Sequence, residues 1–297
     1  MTTVELDPRR DIGTRSSGLS RRRTVEKVVA VLAILSATLA CAVLFLVLGS
    51  VVLKGVSQID LAFFTKAKPL FGEKGGIADA LIGTALMVAM AVVIAVPIAV
   101  LIAIYIAEYA GPGAARFFRL VLDILNGIPA IVVGIFIFGL LVVGHGQSAI
   151  YGAISLAMLM LPLVSRATQE VLALVPRSLR EASLALGVPR WRTVYSIVLP
   201  TAIGGILTGV VLAVARVAGE TAPLLFTSSI ATAGISTDVT KALASLPVAI
   251  FEFSESPSPD DQAAGWAAAL VLIAFVLVMN ILAKTFAGRK RKKLEGS

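Results

Sequence analysis

The sequence predicts an all-α integral membrane protein with six transmembrane helices. Three observations predict this class: 58% of the 297 residues are hydrophobic, the mean hydropathy is +0.94, and the apolar residues are concentrated in six long runs. A span needs about 20 apolar residues, because the hydrocarbon core of a bilayer is about 30 Å thick. Helices are the elements expected here, since a helix satisfies its own backbone hydrogen bonds in lipid.

The runs follow one another along the chain and define its domains. They cover residues 28–53, 80–107, 117–143, 149–174, 201–222 and 263–287. The first run is expected to be an N-terminal transmembrane helix, and residues 78–287 a core with five more. Residues 1–27 are basic and polar, which predicts a disordered tail, and residues 288–297 form a second basic tail.

The distribution of positive charge predicts the orientation of the spans. With the N-terminus inside, twenty of the 26 lysine and arginine residues fall in inner segments and five in outer ones. Cytoplasmic segments carry such an excess, so both termini are expected in the cytoplasm. Pro97, Pro129 and Pro162 predict interruptions in spans two, three and four. In the longest outer loop, apolar residues at helical spacing predict a short interfacial helix at 238–253.

A basic segment between the fourth and fifth runs, residues 176–200, predicts a compact projection into the cytoplasm. Its first half favours a helix, Gly187 breaks that helix, and a second short helix follows. Pro200 opens the fifth span, where its missing N–H costs nothing. Two short helices suit a contact with a groove, and Trp191 and Tyr195 offer an aromatic anchor for a partner.

This segment resembles the EAA loop of ABC-importer permeases, whose pattern is E-A-A, three residues, G, nine residues, I, one residue, L-P. Six positions match this pattern: Glu181, Ala182, Gly187, Ile197, Leu199 and Pro200. Ser183 stands where the second alanine is usual. The resemblance implies the fold of a type I (MetI-like) importer permease, in which the loop docks on a separate ATPase subunit. From the residues alone, an ordinary cytoplasmic loop remains the alternative.

The fifth run contains an arginine, Arg216, that predicts a functional site within the membrane. An arginine at the centre of a span costs about 2.5–3.5 kcal/mol on insertion scales, so it is expected to face protein or a water-filled cavity. Glu220 follows four residues later, on the same face of the helix. A guanidinium beside this carboxylate still offers N–H donors suited to phosphate oxygens. The alternative is a self-neutralising pair without a function.

Two stretches resemble the PstA family of phosphate-specific ABC permeases. Residues 216–224 fit the signature R-x-x-G-E-T-A-P-L, and residues 127–134 fit the stretch G-[IV]-P-x-[IV]-x-x-G. The resemblance covers about residues 28–287. It implies that the phosphate path is lined by Arg216, Glu220, Thr221 and a second arginine of the family, Arg166.

Three further polar residues have more ordinary interpretations. Arg166 lies near the inner end of span four, where it is equally well a positive-inside anchor. Asp123 is expected to pair with Arg119 or Arg116 on its own helix. His145, the only histidine, is expected in an outer loop, because one histidine makes no metal site by itself.

The chain contains no G-x-x-x-x-G-K-[ST] sequence, so it is not expected to bind ATP by a P-loop, and it has no evident nucleophile–base set. The resemblance implies a membrane permease subunit and not an enzyme. It is expected to hold no metal or cofactor, and its single cysteine excludes an intrachain disulfide. The resemblance implies that ATP and Mg are bound by PstB-type ATPase subunits. The other implied partners are a homologous PstC-type permease, a PstS-type phosphate-binding protein and membrane lipid, with no nucleic acid.

The predicted function is therefore transport of inorganic phosphate across the cytoplasmic (inner) membrane by an ATP-driven importer. The chain would form half of the path and work by alternating access. One alternative is the same architecture acting on another oxyanion, such as sulfate, molybdate or phosphonate. Others are an ion-coupled secondary transporter and a membrane scaffold or sensor that transports nothing.

Overall fold

The computed structural model describes residues 16–68, 75–230 and 234–295, and their secondary structure is helical with no β-strand. The α-helices are α1 Ser16–Gly55, α2 Leu61–Thr65, α3 Ala78–Ile104, α4 Pro112–Gly127, α5 Ala130–Ile137, α6 Ala149–Ala173, α7 Arg177–Ala185, α8 Arg190–Thr193, α9 Leu199–Val217, α10 Ala222–Thr227, α11 Leu246–Glu255 and α12 Pro259–Glu295. The chain divides into two units, Met1–Leu53 and Lys54–Ser297.

The first unit is formed by the long helix α1. This helix begins at Ser16, so residues 16–27 are helical where the sequence predicts disorder. Residues 1–15 of the predicted tail lie outside the described residues. The apolar run supplies a nucleus, and each added residue then extends the helix at the gain of one hydrogen bond. Arginine, glutamate and lysine are also good helix formers, which favours the extension.

Membrane-spanning helices account for most of the described chain. Five are long and apolar enough to cross a bilayer: Arg22–Gln58, Ala78–Tyr109, Ala149–Ala173, Arg190–Val217 and Pro259–Leu282. They correspond to the predicted spans one, two, four, five and six. The last of them belongs to α12, which continues as a helix through the basic tail to Glu295.

The third predicted span is a bent pair of helices and not a single straight one. Pro112–Gly127 and Ala130–Val142 meet at 94°. Pro129 disfavours a helical conformation for the residue before it, and Ile128 accordingly has an extended backbone. Proline alone does not cause the break, because α3 and α6 continue through Pro97 and Pro162, where interruptions were also predicted.

The centre of the second unit is the packing of α3 against α6. Ala91, Ala95, Ala99 and Ala103 recur every four residues along one side of α3, and each is fully buried. Small residues at this spacing allow two helix backbones to approach closely within a membrane. Helix α9 packs on α6 in a similar way, with glycines in place of the alanines: a Cβ added at Gly209 would lie 2.6 Å from that of Ala167.

The unit has two ends that differ in their elements. One end, called here the coupling end, holds the C-terminal ends of α3 and α6 together with the 176–200 loop. At the opposite end, the amide of Gln147 binds the backbone at Phe226, Ser229 and Ile230. There α11 begins only at Leu246, because Pro247 favours the first turn of a helix, and its apolar side is buried. The predicted interfacial helix at 238–253 is thus shorter and packed into the protein.

Candidate functional site

The break between α4 and α5 opens a small cavity that contains the predicted anion-binding residues. The cavity has a volume of about 70 Å³. Its lining comes from the break itself, from α6 and from the end of α9: Leu125, Asn126, Ile128, Ala130, Leu159, Leu163, Arg216, Val217 and Glu220. The structure therefore brings Arg216 and Glu220 to one cavity, together with the G-[IV]-P stretch that resembled the same family.

Arg216 is exposed on this cavity and is not neutralised by Glu220. Helix α9 ends at Val217, and Ala218 and Gly219 form a turn, so Glu220 lies beyond the helix. The predicted position of the two side chains on one helix face is therefore wrong. Within the described ranges, neither side chain has an ion pair or hydrogen bond with another residue. The guanidinium is thus available to an anion.

The N-terminus of α5 lies at the same cavity, because Ala130, its first residue, is part of the lining. The first N–H groups of any helix have no partner within the helix, and the helix dipole makes this end positive. Val132 and Val133 donate to the carbonyl of Pro129, but the N–H groups of Ala130 and Ile131 have no acceptor among the described residues. A broken helix that points its N-terminus into a cavity is a known arrangement for binding anionic groups in transporters.

Thr221 follows directly on Glu220 and lies at the start of α10. Its carbonyl accepts hydrogen bonds from Leu224 and Leu225, while its hydroxyl makes no capping bond. The side chain is half-buried. The structure thus places Thr221 next to the cavity in sequence, although it is not among the residues that line it.

Arg166 lies outside this cavity and forms an ion pair with Asp123 of α4. The predicted pairing of Asp123 with Arg119 or Arg116 is therefore wrong. Both partners are about half exposed, at 46% and 54% of their side-chain area. Asp123 is three residues before Asn126, and Arg166 is three residues after Leu163, so the pair lies one helical turn from the cavity toward the coupling end.

The 176–200 loop forms two helical arms joined by a tight turn. Gly187 has φ +76°, a left-handed conformation that favours glycine. The N–H of Gly187 binds the carbonyl of Leu184, and the N–H of Val188 binds that of Ser183, which is the Schellman pattern of a helix end. The buried hydroxyls of Ser183 and Thr193 are 2.9 Å apart and join the arms. This contact accounts for serine at the second alanine position of the motif.

The second arm of the loop is continuous with a membrane span. Helix α8 passes through a π-helical turn, Val194–Val198, directly into α9. Pro200 has no N–H to donate, and a widened turn just before it accommodates the missing bond. Pro200 therefore lies within a helix that runs from Arg190 to Val217. The prediction that Pro200 opens the fifth span is wrong.

Replacement of Gly187 by alanine should destabilise the loop. A Cβ there would touch nothing within 4 Å, so the cost comes from the left-handed backbone, at about 1–2 kcal/mol. We expect Gly187→Ala to lower the melting temperature of the detergent-purified protein, and Gly187→Asn to lower it less. Gly113→Ala, at an open position without positive φ, is the control. An alanine variant that melts with the wild type would contradict this account.

The loop surface is apolar at its tip, where Leu186, Trp191 and Tyr195 have exposed fractions of 83%, 64% and 72%. Glu181 and Ala182 are also exposed, and Leu199 is half-buried. An exposed apolar patch of this kind marks a surface that a partner covers.

Sequence reasoning missed one strong contact of this loop, the pair formed by Arg180 and Glu108. The two residues are 72 positions apart, and their closest atoms, Nη2 and Oε1, are separated by 2.7 Å. The one available signal was an acidic residue at the end of an apolar run. No local spacing rule connects it to an arginine on another helix.

Comparison with known proteins identifies the family. Residues 99–292 match the family described as binding-protein-dependent transport system inner membrane component. The phosphate transport system permease protein PstA of Yersinia pestis is 40% identical over 294 residues, which cover 97% of this chain and 99% of the relative. PstA 1 of Mycobacterium tuberculosis is 38% identical over 225 residues, with 74% and 73% covered.

Solved structures confirm the fold. A bacterial ABC transporter that imports the polysaccharide alginate matches with a TM-score of 0.65 and 14% identity, covering 91% of this chain and 99% of that one. The inward-facing MetNI methionine transporter matches with a TM-score of 0.56 and 17% identity, covering 72% and 94%. The chain therefore has the predicted fold of an ABC-importer permease, and it belongs to the PstA family of binding-protein-dependent inner membrane components.

Proposed function

We propose that the chain is the transmembrane permease subunit of an ATP-driven importer of inorganic phosphate. The observation that carries this proposal is the unpaired Arg216, which faces a cavity beside the free N–H groups of α5. Membership of the PstA family makes the chain an inner-membrane transport component, and its relatives are named phosphate transport permeases. A permease of this family is not itself an enzyme.

The chemistry of the cavity favours phosphate over sulfate. The planar guanidinium of Arg216 can donate two parallel hydrogen bonds to an oxyanion. Inorganic phosphate keeps at least one O–H at neutral pH, and the Glu220 carboxylate can accept a hydrogen bond from it. Sulfate has no such hydrogen, so the same carboxylate would repel it. Arg166, if released from Asp123, would supply a second cation one turn nearer the coupling end. Thr221, which follows Glu220 in the sequence, would supply a hydroxyl.

The proposed mechanism is alternating access, with this chain forming half of the path. Arg216 is exposed in the isolated chain, so a second permease, homologous and of the PstC type, would close the cavity around the anion. The apolar tip of the 176–200 loop would dock on a PstB-type ATPase. That subunit, and not this chain, would bind ATP and Mg. A PstS-type binding protein would deliver phosphate on the other side. The excess of inner positive charge supports cytoplasmic termini and contact with anionic lipid.

Uptake of radiolabelled phosphate into proteoliposomes tests substrate and energy source together. We expect uptake only when the ATPase, the second permease and the binding protein are present and ATP is supplied. Unlabelled phosphate should compete, whereas sulfate and molybdate should not. Competition by sulfate would point to another oxyanion. Uptake that persists without the ATPase under an ion gradient would indicate a secondary transporter.

A further inference from the structure

The side chain of Arg180 joins three helices at the coupling end. Its Nε lies 3.1 Å from Glu108 Oε1 and 3.3 Å from Oε2, and its Nη2 lies 2.7 Å from Oε1. Nη1 donates to the carbonyl of Val175 at 2.6 Å, and Nη2 donates to that of Leu172 at 2.8 Å. Glu108 lies in the π-helical turn Tyr105–Tyr109, which continues α3 as the span Ala78–Tyr109. The guanidinium therefore connects α7, which carries it, to the end of the α3 span and to the end of α6.

This contact is better enclosed than the other ion pairs of the described residues. The Glu108 side chain is 8% exposed and that of Arg180 is 20% exposed, whereas every other partner is at least 39% exposed. Arg180 also donates to the carbonyls of Leu172, near the end of α6, and Val175, just beyond it. Breaking such a pair would leave an uncompensated buried charge, which is energetically costly. The contact therefore resists separation of the helix ends that it joins.

The neighbouring residue adds a second link from the other arm of the loop. The guanidinium of Arg190, at the start of α8, lies 6.0 Å from the centre of the Tyr109 ring. Adjacent residues at the end of the α3 span, Glu108 and Tyr109, thus hold the two arms of the loop. A force on the loop therefore reaches α3 as well as α9.

We infer that Arg180 and Glu108 are positioning residues that transmit movement of the 176–200 loop to the α3–α6 pair. This inference rests on the proposed function, in which that loop receives the force of the ATPase. The second arm moves α9 and Arg216 directly, because α8 and α9 are one continuous helix. Arg180 holds the first arm on the end of α6 through the Leu172 and Val175 carbonyls, and on the end of the α3 span through Glu108. Helix α6 carries Leu163 of the cavity wall and also Arg166. Both walls of the cavity would then move in the same step.

The test measures phosphate transported per ATP hydrolysed by the full complex in proteoliposomes. Glu108→Gln keeps the size of the side chain and removes its charge, while Arg180→Lys keeps the charge and loses the planar fork. We expect each variant to assemble and hydrolyse ATP, with a transport-to-hydrolysis ratio about tenfold below that of the wild type. Glu252→Gln breaks an ion pair at the opposite end, with Lys68, and should leave the ratio unchanged.

The outcomes separate this inference from the proposed function. A wild-type complex that shows no ATP-dependent phosphate uptake would refute the proposed function itself. If the wild type transports and both variants keep its ratio, only the inference fails. Arg180→Lys decides the question if Glu108→Gln does not assemble. If neither variant assembles, the pair is needed for folding alone and the inference is overturned.

Discussion

Arg216→Gln is expected to reduce phosphate uptake about 10- to 100-fold or more, because a hydrogen bond to a charged group contributes about 1.5–3 kcal/mol. Glutamine is shorter and uncharged, so it can neither attract the anion nor bind two of its oxygens. Folding should be preserved, since Arg216 has no ion pair within the described residues that the substitution would break. Uptake in proteoliposomes and recovery of the assembled complex are the two measurements.

Two further variants make this expectation specific. Arg216→Lys keeps the charge and loses the planar fork, so it should transport less than the wild type and more than the glutamine variant. Arg119→Gln removes an exposed arginine of α4 that has no ion pair in the described part of the chain, and it should transport normally. Wild-type uptake by Arg216→Gln would refute the role given to this residue.

The spans could be predicted from the sequence because each helix that crosses lipid needs about 20 consecutive, mostly apolar residues. Every predicted run overlaps a helix of the structure, and hydropathy alone was sufficient for five of them. The 94° bend of the third run could not be predicted from hydropathy. Pro129 signals a break, but its angle depends on how α5 packs against α10, and that contact joins distant parts of the chain.

The charged residues were found by sequence more easily than their partners. Local spacing suggested pairs on the same helix, Arg216 with Glu220 and Asp123 with Arg119. The structure instead ends α9 before Glu220 and pairs Asp123 with Arg166 of another helix. For Asp123 tertiary packing decides the partner, and a spacing rule has no information about it, whereas Arg216 and Glu220 have no ion pair within the described residues. Gly219 was the one local signal that the helix ends early.

The two stretches that indicated the family meet in the structure at Gly134. A Cβ added at Gly134 of α5 would lie 2.7 Å from the Cα of Pro223 in α10, and 3.2 Å from the ring of Phe226. Glycine at this position therefore allows the two helices to touch. Through that contact, α10 fixes the position of the helix whose first residue, Ala130, lines the same cavity as Arg216.

Gly134→Val should force α5 and α10 apart and reduce phosphate uptake at least about tenfold, since overpacking of this kind costs about 1–3 kcal/mol or more. The clash is with backbone, which cannot rotate away as a flexible side chain can. The matched control is Gly139→Val on the turn that continues α5, where an added Cβ would touch nothing within 4 Å. That variant should transport normally. If the two variants transport alike, the α5–α10 contact does not determine the position of α5 at the cavity. The role proposed for the N-terminus of α5 in phosphate binding would then be refuted.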